Sequence, residues 1–246
     1  MPDKKPTGLL ILHGFTGSLD TVRSMVPEAE KHGWPWRMPL LRGHGTRYQD
    51  MDGVSYDDWV ADAEAALDEL LGEVEKVVVV GLSMGGLVAL TLGHRRPQAI
   101  AGLVVCAPAL RFRDPLAALT PLIKRIVRYW DSPNGFADPS CAARSTNYKK
   151  FPTAAFHQLL DFAWETEKRL AQIQVPVVGL FATRDTIVHG IVPQLLRNKL
   201  GAPLRIEMFQ RSGHEMLQDC EAEQVARAAM EAALAFARTE SASQTA

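Results

Sequence analysis

Several features that mark whole classes of protein are scarce or missing from this sequence. It carries three cysteines in 246 residues, Cys106, Cys141 and Cys220, far apart from one another. Neither a disulfide framework nor the paired spacing of a zinc site can be drawn through them, which fits a reducing compartment. There is no basic excess: 27 Lys and Arg stand against 28 Asp and Glu, for a formal net charge of −1. A nucleic-acid partner is therefore not expected. The apolar run near the start, Gly8–Leu12, is too short for the core of a signal peptide. No stretch reaches the roughly 20 apolar residues that cross a bilayer, so no stable membrane insertion is expected. No internal repeat is visible. These absences point to a soluble, cytoplasmic protein, and they leave its oligomeric state open.

What is present alternates. The length suits one large α/β domain, or one domain with an insertion. Short apolar runs at 8–12 and 76–80 read as buried strands, 100–108, 175–182 and 204–209 as further strands, and 35–41 as an edge strand because of its prolines. Between them, 18–33, 55–75, 84–96 and 221–240 have helical spacing, and the last six residues read as a frayed end. In 55–75 the apolar residues Trp59, Val60, Ala63, Ala66, Leu67 and Leu70 recur at three and four, and Ser55 with Asp58 forms a capping-box pattern. Strands that are apolar throughout and alternate with helices predict a mostly parallel sheet covered on both faces.

One stretch carries chemistry. In Lys76–Leu90, "KVVVVGLSMGGLVAL", a buried strand runs into a helix through Gly81-Leu82-Ser83-Met84-Gly85. This is a G-x-S-x-G turn, in which side chains two positions from the serine are expected to collide with it. A serine hydroxyl needs a base to become nucleophilic. Of seven histidines, His214 in "RSGHEML" follows the last predicted strand and can reach back over the sheet edge. His13 and His44 lie on other loops near strand ends and stay open as alternatives at this point. Asp185 in "TRDTIV" follows a strand too. It can orient an imidazole, or it can simply form a turn. The order Ser, Asp, His is that of one fold.

These segments resemble the α/β-hydrolase superfamily, in particular bacterial carboxylesterases and monoacylglycerol lipases. "LLILHGFTG" is similar to the first core strand with its oxyanion loop, "LRGHG" and "YDDW" to the segments that follow. "GLSMGG" resembles the nucleophile elbow, "TRDTIV" the acid loop and "SGH" the histidine loop. The resemblance implies Ser83 as nucleophile, His214 as base, Asp185 as its orienter, and an oxyanion hole from the backbone N–H groups of Phe15 and Met84. It implies no metal or organic cofactor, and it makes His13 and His44 loop-shaping residues. With few residues before the first strand, a reduced sheet of six strands is expected, and a helical cap insertion with it. "VHG" after the acid loop departs from the proline common in relatives.

The strand rhythm breaks between Arg111 and Lys168. The expected division is a core in two parts, 1–110 and 169–246, with a helical cap at 111–168. In the cap, one helical face is predicted from Leu119, Leu122, Ile123, Ile126 and Trp130, and another from Phe156, Leu159, Leu160 and Ala163. Such faces pack on the core or line an acyl site; Trp130 and Phe156 are the candidate substrate-binding residues. The implied activity is hydrolysis of short- to medium-chain carboxylic esters, monoacylglycerols among the candidates, with a small-molecule ester as partner. Thioesters, lactones and carbon–carbon bonds are alternative substrates for the same triad, and a non-catalytic receptor on this fold is the alternative of another class.

Overall fold

The apolar runs at 8–12, 77–82, 100–106 and 177–182 become strands that are covered from two sides. The computed structural model describes residues 5–244. Its elements follow in the order β1 (Lys5–Leu12), α1 (Met25–Lys31), β2 (Trp36–Arg37), α2 (Tyr56–Leu71), β3 (Val74–Leu82), α3 (Met84–Arg95) and β4 (Ile100–Cys106). Next come α4 (Thr120–Ile123), β5 (Tyr129–Asp131), α5 (Pro139–Ala142), β6 (Lys150–Pro152) and α6 (Thr153–Arg169). The chain closes with β7 (Val177–Ala182), α7 (Val192–Lys199), β8 (Leu204–Phe209) and α8 (Ala222–Gln244). Six strands make one sheet in the order β2-β1-β3-β4-β7-β8, with every neighbouring pair parallel.

Because side chains alternate across a strand, each buried strand feeds two cores. Leu10, Leu12, Val77, Val79, Leu103 and Val105 pack with α2, α3 and α6 through Trp59, Leu67, Leu87 and Phe162. Leu9, Ile11, Val78, Val80, Val104 and Cys106 pack with α1 and α8 through Met25, Ala29, Val225, Ala229 and Ala233. Helix α2 starts where the sequence places its cap. The Ser55 hydroxyl accepts from the Asp58 N–H at 3.3 Å while the Asp58 carboxylate accepts from the Ser55 N–H at 2.9 Å. Among the described residues no helix is long and apolar enough to cross a membrane.

The structure differs from the sequence reading in several places. The helix expected over 18–33 forms only at Met25–Lys31, after a separate 3-10 turn at Leu19–Val22, because Pro27 fits only the first turn of a helix. The edge strand expected at 35–41 shrinks to Trp36–Arg37, because Pro35 and Pro39 on either side lack the N–H a ladder needs. The helix expected to run to 75 stops at Leu71, and β3 begins at Val74, recruited by pairing of Val74 with Lys5. Helix α8 continues to Gln244 where a frayed end was expected, and the last two residues lie outside those described. The helical face through Leu119 to Trp130 does not form. Pro115 and Pro121 open two separate short helical pieces. Trp130 instead sits in β5, pairing antiparallel with Phe151 of β6. Leu122 and Ile126 are left 65% and 89% exposed.

A parallel sheet delivers the ends of β1, β3, β7 and β8 to one edge. The segments that leave those ends carry Gly14 and Phe15, Ser83, Asp185 and His214, which is how residues 200 positions apart in sequence come together.

Candidate active site

Ser83 stands between β3 and α3 with φ 56° and ψ −111°, a left-handed backbone that costs a non-glycine residue on the order of 1–3 kcal/mol. The surroundings over-determine it. Its N–H donates to the Cys106 carbonyl at 2.8 Å, and its own carbonyl accepts from the N–H groups of Gly86, Leu87 and Ala109. The flanking glycines are needed for a different reason from the one the motif suggests. A Cβ on Gly81 would lie 2.1 Å from the Gly85 carbonyl oxygen, and one on Gly85 would lie 2.3 Å from that of Leu12. The collisions are with backbone, not with the serine, because strand and helix cross at this point with no room for a side chain.

The hydroxyl of Ser83 lies 2.9 Å from His214 Nε2, and His214 Nδ1 lies 2.9 Å from Asp185 Oδ2. The other oxygen of Asp185, Oδ1, accepts from the N–H groups of Ile187 and Val188 at 2.8 Å each. All three side chains are buried. Burial opposes ionisation of Asp185, yet His214 and the two backbone donors outweigh it, and the carboxyl pKa falls below its usual value. Burial likewise opposes the imidazolium of His214, but Asp185 more than offsets that and Glu215 adds to it, so the histidine pKa rises above 6.5. A base must be neutral to accept a proton. The rate–pH profile is therefore expected to fall on its acid side around a pKa above 6.5; an acid limb well below that value would remove Asp185 from contact with the working base.

The histidine loop is held by two acids: Asp219, which the sequence offers only as the next choice of orienting acid after Asp185, and Glu221, which it does not assign. Asp219 accepts from the N–H groups of Ala137, Asp138, Gly213 and Cys220 at 2.6 to 3.1 Å. Glu221 accepts from those of Arg211 and Ser212 at 2.9 and 2.7 Å. Both belong to the loop and helix start after His214, and Asp219 also ties that loop to residues 137 and 138. Their only sequence signal is acidic character shortly after the histidine, which any helix start would share.

His13 and His44 are engaged elsewhere. His13 Nδ1 lies 2.9 Å from the Gly14 carbonyl and its Nε2 accepts from the Leu41 N–H at 3.1 Å. His44 Nδ1 lies 3.1 Å from the carbonyls of Leu41 and Arg42. Burial drives their pKa values down to about 4 and about 3, so both are neutral; His13 ties the loop after β1 to the loop after β2, while the hydrogen bonds of His44 stay within its own loop. Gly14 lies close against the serine: a Cβ there would be 3.3 Å from that of Ser83. The N–H groups of Phe15 and Met84 have no protein acceptor among the described residues.

Ser83 and His214 open into a cavity of about 350 Å³. Its lining combines Phe15, Phe112, Trp130, Phe151, Phe156 and Leu159 with the polar Ser132, Asn134, Asn147 and Glu215. Both aromatic residues singled out in the sequence, Trp130 and Phe156, are present. Phe151 and Phe112 were missed because neither lies on a periodic face; each sits on a loop or a three-residue strand.

Residues 4–221 match the model of a family described as serine aminopeptidase, S33. The chain is 33% identical to a thermostable monoacylglycerol lipase of Bacillus sp. strain H-257 over 74% of this chain and 72% of that one. It is 23% identical to a carboxylesterase of Bacillus subtilis strain 168 over 87% and 86%. Among solved structures, one reported in work on two metagenome-derived lipolytic enzymes, LipS and LipT, superposes with a TM-score of 0.87 at 25% identity. The superposition covers 96% of this chain and 95% of the other.

Proposed function

Because this chain belongs to the serine aminopeptidase S33 family of α/β hydrolases, we propose that it is a carboxylic ester hydrolase that works through an acyl-enzyme on Ser83. The observation that carries this reading is the unbroken hydrogen-bonded run from Ser83 through His214 to Asp185, with the serine opening into the cavity. In the proposed cycle Ser83 Oγ attacks the ester carbonyl as His214 Nε2 takes its proton. The N–H groups of Phe15 and Met84 hold the oxygen that becomes negative, aided by the positive end of α3. His214 returns the proton to the leaving alcohol, and water then repeats the sequence on the acyl-enzyme. Residues 111–168 act as the cap, and the aromatic part of the cavity receives the acyl chain. The volume lies at the small end of the roughly 300–1,000 Å³ usual for small-molecule sites, which favours short- to medium-chain acids. Monoacylglycerols fit that range and are the finer candidate, given the relative named for them. The cysteine usage favours a cytoplasmic location.

A hydrolysis panel tests the assignment: alkyl and glyceryl esters, acyl thioesters, lactones and an aminoacyl anilide, the last because of the family's description. Turnover of the esters well above the others is expected. Turnover confined to the anilide would overturn the ester reading.

The cap makes a separate prediction. Each methylene buried in an apolar site is worth about 0.8 kcal/mol, so Trp130→Ala or Phe156→Ala should raise kcat/KM for octanoate and decanoate esters relative to acetate several-fold. Equal loss on every chain length, together with a lower melting temperature, would assign both side chains to packing alone.

A further inference from the structure

The cavity lining carries polar side chains beside the aromatic ones, and one of them, Glu215, is the residue next to the base. Glu215 follows His214 directly, and its N–H donates to the Gly135 carbonyl at 3.1 Å. A Cβ on Gly135 would meet Glu215 Cγ at 3.1 Å and His214 Cβ at 3.3 Å, so the segment at 135 presses on both side chains at once. Glu215 lines the cavity. Its Oε1 accepts from Asn147 Nδ2 at 3.0 Å, and among the described residues no protein donor reaches Oε2. The Asn147 backbone is itself fixed, its N–H donating to Ser145 Oγ at 3.2 Å, and Asn147 Oδ1 is buried with no hydrogen-bond donor. Burial holds the Glu215 pKa above its usual value, the mark of a carboxyl short of partners for its charge.

A serine hydrolase protonates its leaving alcohol from the histidine, so that alcohol must lie beside His214. Glu215, the residue next to His214, lines the same cavity, and an alkyl alcohol would leave its second carboxylate oxygen unpaired. We propose that Glu215, held in place by Asn147, forms a subsite that accepts a hydrogen bond from the alcohol half of the ester, selecting alcohols with a donor near the ester oxygen. The inference rests on the ester-hydrolase reading above and adds what the leaving group must carry. The donor is a hydroxyl or a protonated amine; the acceptor chemistry is the same for both.

The test uses one acid and three alcohols: ethyl, hydroxyethyl and dimethylaminoethyl butanoate, followed by acid release at constant neutral pH. Wild-type enzyme should favour at least one donor-bearing ester over the ethyl ester in kcat/KM by about tenfold or more, the scale of one hydrogen bond to a charged group. Glu215→Gln and Asn147→Ala, two variants so that one folding failure does not decide the matter, should each pull that ratio toward one. Preference for hydroxyethyl identifies the donor as a hydroxyl, and preference for dimethylaminoethyl as an ammonium; either supports the subsite. A wild-type ratio near one, or a ratio that folded variants leave unchanged, overturns it while turnover of the ethyl ester keeps the hydrolase reading intact. No turnover of any of the three overturns both.

Discussion

Replacing Ser83 with alanine should remove nearly all turnover and leave the fold in place. The Ser83 hydroxyl makes one hydrogen bond, to His214 Nε2, while the strained backbone is held by main-chain bonds to Cys106, Gly86, Leu87 and Ala109 that alanine would keep. Serine and alanine meet the same steric cost at φ 56°, so the melting temperature should stay close to that of the wild type. What disappears is the oxygen proposed to form the acyl-enzyme. Loss of the nucleophile in a triad lowers kcat by roughly 10⁴ to 10⁶, the remainder coming from binding and the oxyanion donors. Steady-state kinetics on a short-chain ester, beside a thermal melt, checks both halves. Retention of more than about a tenth of wild-type kcat would exclude a Ser83 mechanism.

Asp185→Asn is the second large effect, and the structure says which way the new amide must turn. Asp185 Oδ1 already accepts two backbone N–H groups, from Ile187 and Val188. An asparagine must keep its carbonyl oxygen there, which turns its NH₂ toward His214 Nδ1. That nitrogen becomes an acceptor, the ring proton moves to Nε2, and Nε2 can no longer take the serine proton. A loss in kcat of about 10⁴ is expected, with KM changed far less because Asp185 lies behind the histidine. The acid limb of the pH profile should also move down, since the Asp185 charge that raises the His214 pKa is gone. Near-wild-type kinetics would require another acid, and Asp219 is poorly placed to supply it: both of its oxygens accept backbone N–H groups.

Much of this site could be read from the sequence because its parts sit at strand ends. A run such as "KVVVVG" fixes a buried strand, and a residue that follows it must emerge at the sheet edge. Ser83, Asp185 and His214 were found in that way, with chain order joining them. The apolar faces of α2 and α6 were legible for a similar reason, since Trp59 and Leu159 repeat with the helical period and pack in one core. The stretch 115–130 failed because periodicity says nothing about length. Its apolar spacing is helical, but Pro121 starts a new turn and Trp130 gains more by pairing with Phe151. Asn147 and Glu215 left no pattern at all. Each is a polar residue on a loop, and only the folded chain brings the two within 3.0 Å of each other. The glycines at 81 and 85 were found by motif, yet the reason for them, a strand and a helix crossing at backbone contact, is visible only in three dimensions.

The central claim is that Ser83 is the nucleophile, and covalent trapping tests it most directly. Wild-type enzyme treated with an alkyl p-nitrophenyl phosphonate should release one equivalent of p-nitrophenol. It should carry one phosphonyl group per chain on the tryptic peptide that contains Ser83, lose activity in step with labelling, and be protected by an ester substrate. The Ser83→Ala protein should remain unlabelled under the same conditions. Labelling of another residue at the wild-type rate, or full ester turnover by protein already labelled at Ser83, would contradict the account.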